Sequence, residues 1–264
     1  MIRAVKSIII LLIIAALSGC SGDSGGLTIK NGTLTVGVEI GYPPMEYMAD
    51  DGITLLGFDI SLARAIADTM GLKIQFVDTA WEGILSGVNA MKYDCIISSV
   101  TILPERLKNY NFSRPYIQTN LALVTLKNSI YDVRSPDDLF GLGVAYQEAT
   151  TSNYYMRRLG QDGLKFTAYE YDKVTYCFDE LRLGRVDAVL TDLLVANEYL
   201  ARADIYKIVW HGSEEIFGVC MKKGNDALTI EIDKALDELF ENGTALRISK
   251  ETFNGMDFVS AARP

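Results

Sequence analysis

The sequence predicts an α/β protein of two similar lobes, each a mainly parallel sheet flanked by helices. Three observations carry that expectation. Short apolar runs alternate with amphipathic stretches from Leu34 onward, and the alternation restarts after about residue 130. The string Lys92-Tyr-Asp94-Cys-Ile-Ile-Ser98-Ser99 aligns without gaps to Arg185-Val-Asp187-Ala-Val-Leu-Thr191-Asp192. Finally, the 264 residues suffice for two lobes of roughly 100 residues each.

In the first half, residues 34–38 read as a strand, 58–70 as a helix, 73–77 as a strand, 81–91 as a helix and 95–99 as a strand. Phe58, Leu62, Ala65, Ile66 and Met70 keep helical spacing, and Gly71 stops that helix. The second half gives a short helix at 135–139, a strand at 143–147 and a helix at 151–159 entered through Thr150. It continues with a strand at 165–170, a helix at 174–183, a strand at 186–191 and a helix at 193–200. Strands at 208–209 and 217–221 follow, then a helix at 227–240 closed by Asn242-Gly243 and another at 245–253. These last segments have no third lobe to join and are expected to return to the first.

The first nineteen residues have the pattern of a signal peptide: Arg3 and Lys6, then an apolar stretch, then Leu17-Ser-Gly-Cys20. The uncharged run is too short to span a bilayer comfortably. Leu-Ser-Gly-Cys also resembles the bacterial lipobox, which implies a palmitate-bearing Cys20 as mature N-terminus and membrane attachment through that lipid only. Residues 20–32 are expected to be a flexible tether. The tether contains Gly-Asp-Ser24-Gly-Gly, familiar from serine proteases, but a nucleophile there needs a histidine base, and His211 is the only histidine in the chain.

The formal net charge is −9, and removal of residues 1–19 takes away two cations and no acid. Such a balance argues against nucleic acid as a partner. Past Cys20 the odd number of cysteines, Cys95, Cys177 and Cys220, allows at most one disulfide, and Cys95 and Cys220 lie in apolar runs as small buried hydrophobes. There is no histidine-carboxylate cluster and no complete Gly-rich phosphate loop, so no metal and no cofactor are expected.

Function concentrates in Asp94-Cys-Ile-Ile-Ser-Ser-Val-Thr-Ile-Leu-Pro-Glu-Arg106. An apolar strand runs into Ser98, Ser99 and Thr101, and Pro104 then opens a helix whose first turn holds Arg106. Hydroxyls, helix-terminal N–H groups and a guanidinium fork together suit a small carboxylate. In the repeat, Asp192 occupies the strand end equivalent to Ser99. Ligands of open α/β sheets bind beyond the carboxyl ends of the strands, so two such ends facing each other make a cleft between lobes.

From Leu34 to Phe253 the chain resembles the polar amino acid solute-binding family of bacterial ABC importers. The resemblance rests on Gly57-Phe-Asp-Ile-Ser-Leu-Ala-Arg-Ala-Ile-Ala, the Asp94–Arg106 segment, Phe112-Ser-Arg-Pro-Tyr116, Ala149-Thr-Thr-Ser152, Gly184-Arg-Val-Asp187-Ala and Asn242-Gly-Thr244. It implies a type II periplasmic-binding-protein-like fold, with lobe 1 at 33–117 plus 213–258 and lobe 2 at 121–209. Crossover strands are implied near 117–121 and 209–213, with hinges at 118–120 and 210–212.

The resemblance further implies a monomeric, extracytoplasmic, non-enzymatic receptor that closes on a free amino acid and delivers it to a permease. Arg106 matches the arginine that grips the α-carboxylate, helped by Thr101 and Thr151. Asp192 matches the acid that takes the α-ammonium, with Ser99 and Thr101 completing the cage. The side-chain pocket is implied at Glu39, Tyr42, Met45, Trp81, Ser98 and Gln147, with Thr150 at the helix entry. A carboxylate at Glu39 beside two aromatic rings suits a basic ligand, arginine first. Polar uncharged amino acids or cystine are the other ligands weighed. Two rival functions are an arogenate or prephenate dehydratase on the same scaffold, with Glu39 or Glu148 as general acid, and a sensor acting through a separate membrane protein. Two residues depart from the family pattern: Leu103 stands where a capping hydroxyl is common, and Ala149 replaces a Gly before the Thr pair.

Overall fold

The computed structural model describes residues 26–262, so the predicted signal peptide, Cys20 and the start of the predicted tether lie outside the described residues. The end of that tether is packed against the body: Thr28 is buried and Ile29 donates its N–H to Asp94 at 2.6 Å.

The first half comprises β1 (Thr33–Val38), a hairpin of β2 (Tyr47–Met48) and β3 (Leu55–Leu56), α1 (Phe58–Thr69), β4 (Lys73–Asp78), α2 (Trp81–Asn89), β5 (Cys95–Ile96) and α3 (Pro104–Leu107). A long strand, β6 (Tyr110–Leu126), leads through a 3-10 turn at Pro136–Leu139 into the second half. There β7 (Gly143–Gln147), α4 (Thr151–Gln161), β8 (Thr167–Tyr171), α5 (Val174–Arg182), β9 (Ala188–Asp192) and α6 (Leu193–Arg202) follow in turn. A second long strand, β10 (Tyr206–Lys222), returns to α7 (Asp226–Glu241), α8 (Thr244–Thr252) and a final turn at Ser260–Ala262.

One sheet runs through both lobes in the order β4-β1-β5-β10-β6-β9-β7-β8. Its two ends are equivalent: β1 lies parallel between β4 and β5, and β7 lies parallel between β8 and β9. Between them β10 and β6 pair antiparallel with each other and with the flanking strands. This is the two-lobed α/β architecture the repeat predicts. Within it Asp94 and Asp187 do equivalent work. Asp94 accepts the N–H of Thr35 at 2.7 Å, Asp187 accepts that of Gly143 at 2.8 Å, and each so fastens its strand to the start of the central strand of its lobe.

Packing follows from burial on both faces. Every residue of β1 is buried: Leu34, Val36 and Val38 alternate with the small or hydroxyl-bearing Thr33, Thr35 and Gly37, so both faces of the strand are covered. The entry to α1 depends on Gly57, whose φ is +121° and where a Cβ would lie 2.1 Å from the Met45 carbonyl oxygen. The helix α1 then packs against both α7 and α8, which places the last helices on the first lobe as expected. Cys95, Cys177 and Cys220 are free and buried. Among the described residues no helix is long and apolar enough to cross a membrane.

The structure corrects several boundaries. Residues 208–209 and 217–221 belong to one strand, β10, and the predicted crossover at 117–121 lies inside β6. Polar residues such as Gln118, Glu214 and Glu215 broke the apolar pattern there, although backbone pairing with a neighbouring strand does not need apolar side chains. Register shifts interrupt β10 at Ile208/Trp210 and Gly212/Glu214, with Ser213 at φ +55°, so the second predicted crossover falls on an irregular stretch; two more shifts follow at Phe217/Gly218 and Gly218/Cys220. The strand expected at 95–99 ends at Ile96, because Ser99 turns the chain with φ +50°. The short helix expected at 135–139 is a 3-10 turn capped by Ser135 and Asp138. Met45, expected in the ligand pocket, is fully buried in the core beneath it.

Candidate functional site

A narrow polar cleft lies where the ends of β1 and β5 face those of β7 and β9. Of the twelve binding residues singled out in the sequence, all but Met45 line it, together with Glu46 and Ser152. The lining residues are mostly polar or charged, with Tyr42 and Trp81 the aromatic ones.

Arg106 is the cation of the cleft. Pro104 starts α3 after Leu103, which supplies no side-chain cap, as the lost hydroxyl predicts. The Arg106 side chain is buried, its Nη1 donates to the Thr101 carbonyl at 3.0 Å, and its Nη2 has no protein partner. The guanidinium carbon lies 5.9 Å from the Trp81 ring centroid, within cation–π range. Carbonyl and ring thus hold one edge of the fork and leave Nη2 for an anion.

Opposite, Asp192 ends β9 at the entry to α6 but makes no cap bond with its side chain. It instead accepts the Tyr42 hydroxyl at 2.6 Å. Burial raises its carboxyl to about 6, against the Tyr42 hydrogen bond and the positive charge of Arg106.

Glu39 follows β1 and reaches across to the second lobe, where Gln147 Nε2 donates to it at 2.9 Å and to the Asp172 carbonyl at 3.0 Å. Burial pushes the Glu39 carboxyl up to about 7, while Gln147 and the Lys173 charge pull it down. Its backbone N–H donates to Ser98, whose hydroxyl donates to Glu46 at 2.6 Å. Two more bonds cross the cleft: Trp81 Nε1 to the Ala149 carbonyl at 3.0 Å, and Lys173 Nζ to the Ile40 carbonyl at 2.9 Å. Ala149 sits at φ +56°, in the region where the family pattern has glycine. Thr150 caps α4 as expected, accepting from Asn153 N at 3.3 Å and donating to Gln147 O at 2.6 Å.

Two expected roles need revision. The Ser99 hydroxyl donates to Asp59 at 3.2 Å, alongside its own N–H at 2.6 Å, and the Thr101 hydroxyl donates to Glu215 at 2.6 Å. Neither hydroxyl faces an ammonium cage around Asp192; each is committed to a buried acid behind the cleft wall. Those acids, Asp59 and Glu215, and the cavity-lining Glu46 escaped the sequence reading. Each sits in a polar-apolar string with no spacing of its own, and only the hydroxyls that turned out to need acceptors pointed to them. Burial raises Glu46 well above the carboxylate range, with the negative charge of Asp59 adding to it, and raises Asp59 to about 6.

Residues 34–255 match the family model of bacterial extracellular solute-binding proteins, family 3. The chain belongs to that family. This family-3 protein is 31% identical over 256 residues to the L-cystine-binding protein TcyJ of Escherichia coli strain K12, with 95% of each chain covered. Among solved structures it superposes on an ancestral arginine-binding protein bound to arginine with a TM-score of 0.81 and 36% identity, covering 84% of this chain and 99% of the other. It is also similar to the ancestral amino acid-binding protein AncCDT-1, a precursor of cyclohexadienyl dehydratase, with a TM-score of 0.77 and 32% identity over 84% of this chain and 96% of that one. These comparisons place the family-3 protein among the amino-acid-binding proteins of ABC transporters.

Proposed function

We propose that the chain is the extracytoplasmic receptor of an amino acid ABC importer and closes its two lobes on a free basic L-amino acid, arginine first. The charge balance of the cleft carries this reading. A zwitterion sets its α-carboxylate on Arg106 and its α-ammonium on Asp192, which uses one cation and one acid. Glu39 then remains as a buried carboxylate facing the same cavity, and its own hydrogen-bond partner, Gln147, is neutral. An uncompensated buried carboxylate is costly, and a ligand guanidinium compensates it. The arginine-bound relative of known structure supports the same choice.

Cystine is the second reading, favoured by Lys173, whose charge acts on Glu39 at the cleft edge. Glu39 and Lys173 together offer both signs of charge to a second zwitterionic end, and the similarity to TcyJ supports it. Calorimetric titration of the protein against all common amino acids and cystine separates the two. Arginine is expected to bind best; preference for glutamate or aspartate refutes the role given to Glu39.

Arg106, Thr101 and Thr151 are proposed to hold the ligand α-carboxylate, Asp192 its α-ammonium, and Glu39, Tyr42, Trp81, Thr150 and Gln147 its side chain, with hinges at 118–120 and 210–212. The signal peptide, lipidation at Cys20, the permease partner and the monomeric state belong to the same proposal, and mass spectrometry of the membrane-extracted protein tests the lipid. A dehydratase reading is disfavoured because the cleft acids Glu39 and Asp192 are engaged by Gln147 and Tyr42 and have a charge role in binding. Turnover of arogenate would reverse that judgement.

A further inference from the structure

Glu215 is an acid with no counterpart in the binding scheme above, yet it touches the groups that scheme uses. It lies on β10, the second long strand joining the lobes, and is almost wholly buried at 2% exposure. Its carboxylate takes a hydrogen bond of 2.6 Å from the Thr101 hydroxyl on the first lobe, and the Thr151 hydroxyl at the start of α4 on the second is near enough to lower its pKa. The Arg106 charge acts on it as well. Thr101, Thr151 and Arg106 are the three groups assigned to the ligand α-carboxylate.

We propose that Glu215 is a positioning residue that shares the donors of the α-carboxylate subsite, so that a ligand carboxylate binds fully only when Glu215 carries a proton. The inference rests on the amino-acid reading. Ionised, Glu215 takes both threonine hydroxyls and sets a second negative charge beside the incoming carboxylate. Protonated, it releases at least one hydroxyl and its own O–H becomes a donor. Glu215 is suited to this role because burial, and the negative charge of Asp192, push its carboxyl up to about 8, against the two threonines and Arg106. The charged and titratable groups around it are Arg106 on α3 and Asp192 at the end of β9, with Glu105, Glu214 and Arg158 farther along the adjoining groove. Glu39, raised to about 7, and Asp192, raised to about 6, are ionised before Glu215. Glu46, which burial also raises, takes its hydrogen bond from Ser98 and not from the donors of the α-carboxylate subsite, so the two acids are told apart by the Glu215→Gln variant.

The test is calorimetric titration of the intact protein with arginine between about pH 7 and about pH 9, in buffers of different ionisation enthalpy. Wild type is expected to take up a proton on binding at about pH 8 and to weaken about three- to tenfold toward pH 9. Glu215→Gln, which keeps the size and offers an amide donor, is expected to bind at least as tightly at the upper pH and to take up no proton. Wild type that binds arginine without proton uptake overturns the proposal with no variant needed. A folded Glu215→Gln with the wild-type pH profile overturns it as well, while Arg106→Ala still abolishing binding leaves the amino-acid reading intact. Absence of binding to every amino acid by wild type sinks that reading and the proposal together.

Discussion

The Tyr42 hydroxyl donates to the Asp192 carboxylate at 2.6 Å, joining the loop after β1 to the end of β9 across the cleft. Tyr42 comes from one lobe and Asp192 from the other, so this bond exists only when the lobes are together. It satisfies one lone pair of a buried carboxylate and leaves the rest for an ammonium. Asp192→Asn keeps the shape and the tyrosine contact but removes the charge. It is expected to weaken arginine binding by about 100-fold or more, the cost of a charge-assisted bond in a desolvated site. The thermal midpoint is expected to change little, because a neutral amide is easier to bury. Calorimetry and a melting curve on the same sample check both halves.

Arg106 is held by the Thr101 carbonyl and the Trp81 ring, with Nη2 free of protein partners. Arg106→Ala is expected to abolish detectable binding of every amino acid while the protein still folds, since its single protein hydrogen bond contributes about 1 to 3 kcal/mol. Arg106→Lys is expected to rescue poorly, because an ammonium lacks the planar fork. Unchanged affinity in the alanine variant overturns the site assignment.

The paired aspartates give a purely structural prediction. Asp94 accepts from Ile29 N, Thr35 N and the Thr35 hydroxyl, whereas Asp187 accepts from Gly143 N alone. Asp94→Asn turns acceptors toward N–H donors and is expected to cost about 2 to 3 kcal/mol, against about 1 for Asp187→Asn. Urea unfolding of both variants checks the order; an equal loss contradicts the difference in bonding.

That pair also indicates what was legible. The repeat around Asp94 and Asp187 located equivalent strand ends, because a strand edge that must be fastened needs an acceptor at a fixed place. Asp192 stood out as a charge at the end of an apolar strand, and Arg106 as a charge in the short helix that Pro104 opens. The length of β6 and β10 was hidden, since their middle residues alternate for reasons of pairing and bulges that periodicity does not record. Glu46, Asp59 and Glu215 were hidden too. A buried acid is recognisable from its partners, and Ser98, Ser99 and Thr101 look in sequence like ligand groups instead of donors to those acids.

Glu39 separates ligand class from ligand identity. If its charge selects a basic side chain, Glu39→Gln weakens arginine by about 10- to 100-fold while an uncharged isostere such as citrulline loses far less. Wild-type affinity for arginine is also expected to fall as the pH drops through about 7, where Glu39 gains its proton. Equal losses for both ligands would mean that Glu39 only supports Gln147 and the fold of the loop.

Stability is expected to run opposite to ligand affinity at the acidic end. Burial raises the carboxyls of Asp59 and Asp192 to about 6, Glu39 to about 7 and Glu215 to about 8. The unfolded chain releases these protons near the ordinary carboxylate range, so above it the folded state holds protons that the unfolded state has lost. Their stabilising contribution is therefore full below the ordinary range and is lost as pH rises through the raised values. The exposed acids Asp51, Asp132 and Asp138 are shifted the other way, but their effect is confined to pH below the ordinary range. The melting temperature without ligand is expected to be several degrees higher at about pH 5 than at about pH 8. Saturating arginine is expected to narrow that gap by placing cations beside Glu39 and Asp192. A melting temperature that rises steadily over the same interval would mean that the cleft acids are hydrated, and with them would fall the argument that their burial selects a cationic ligand.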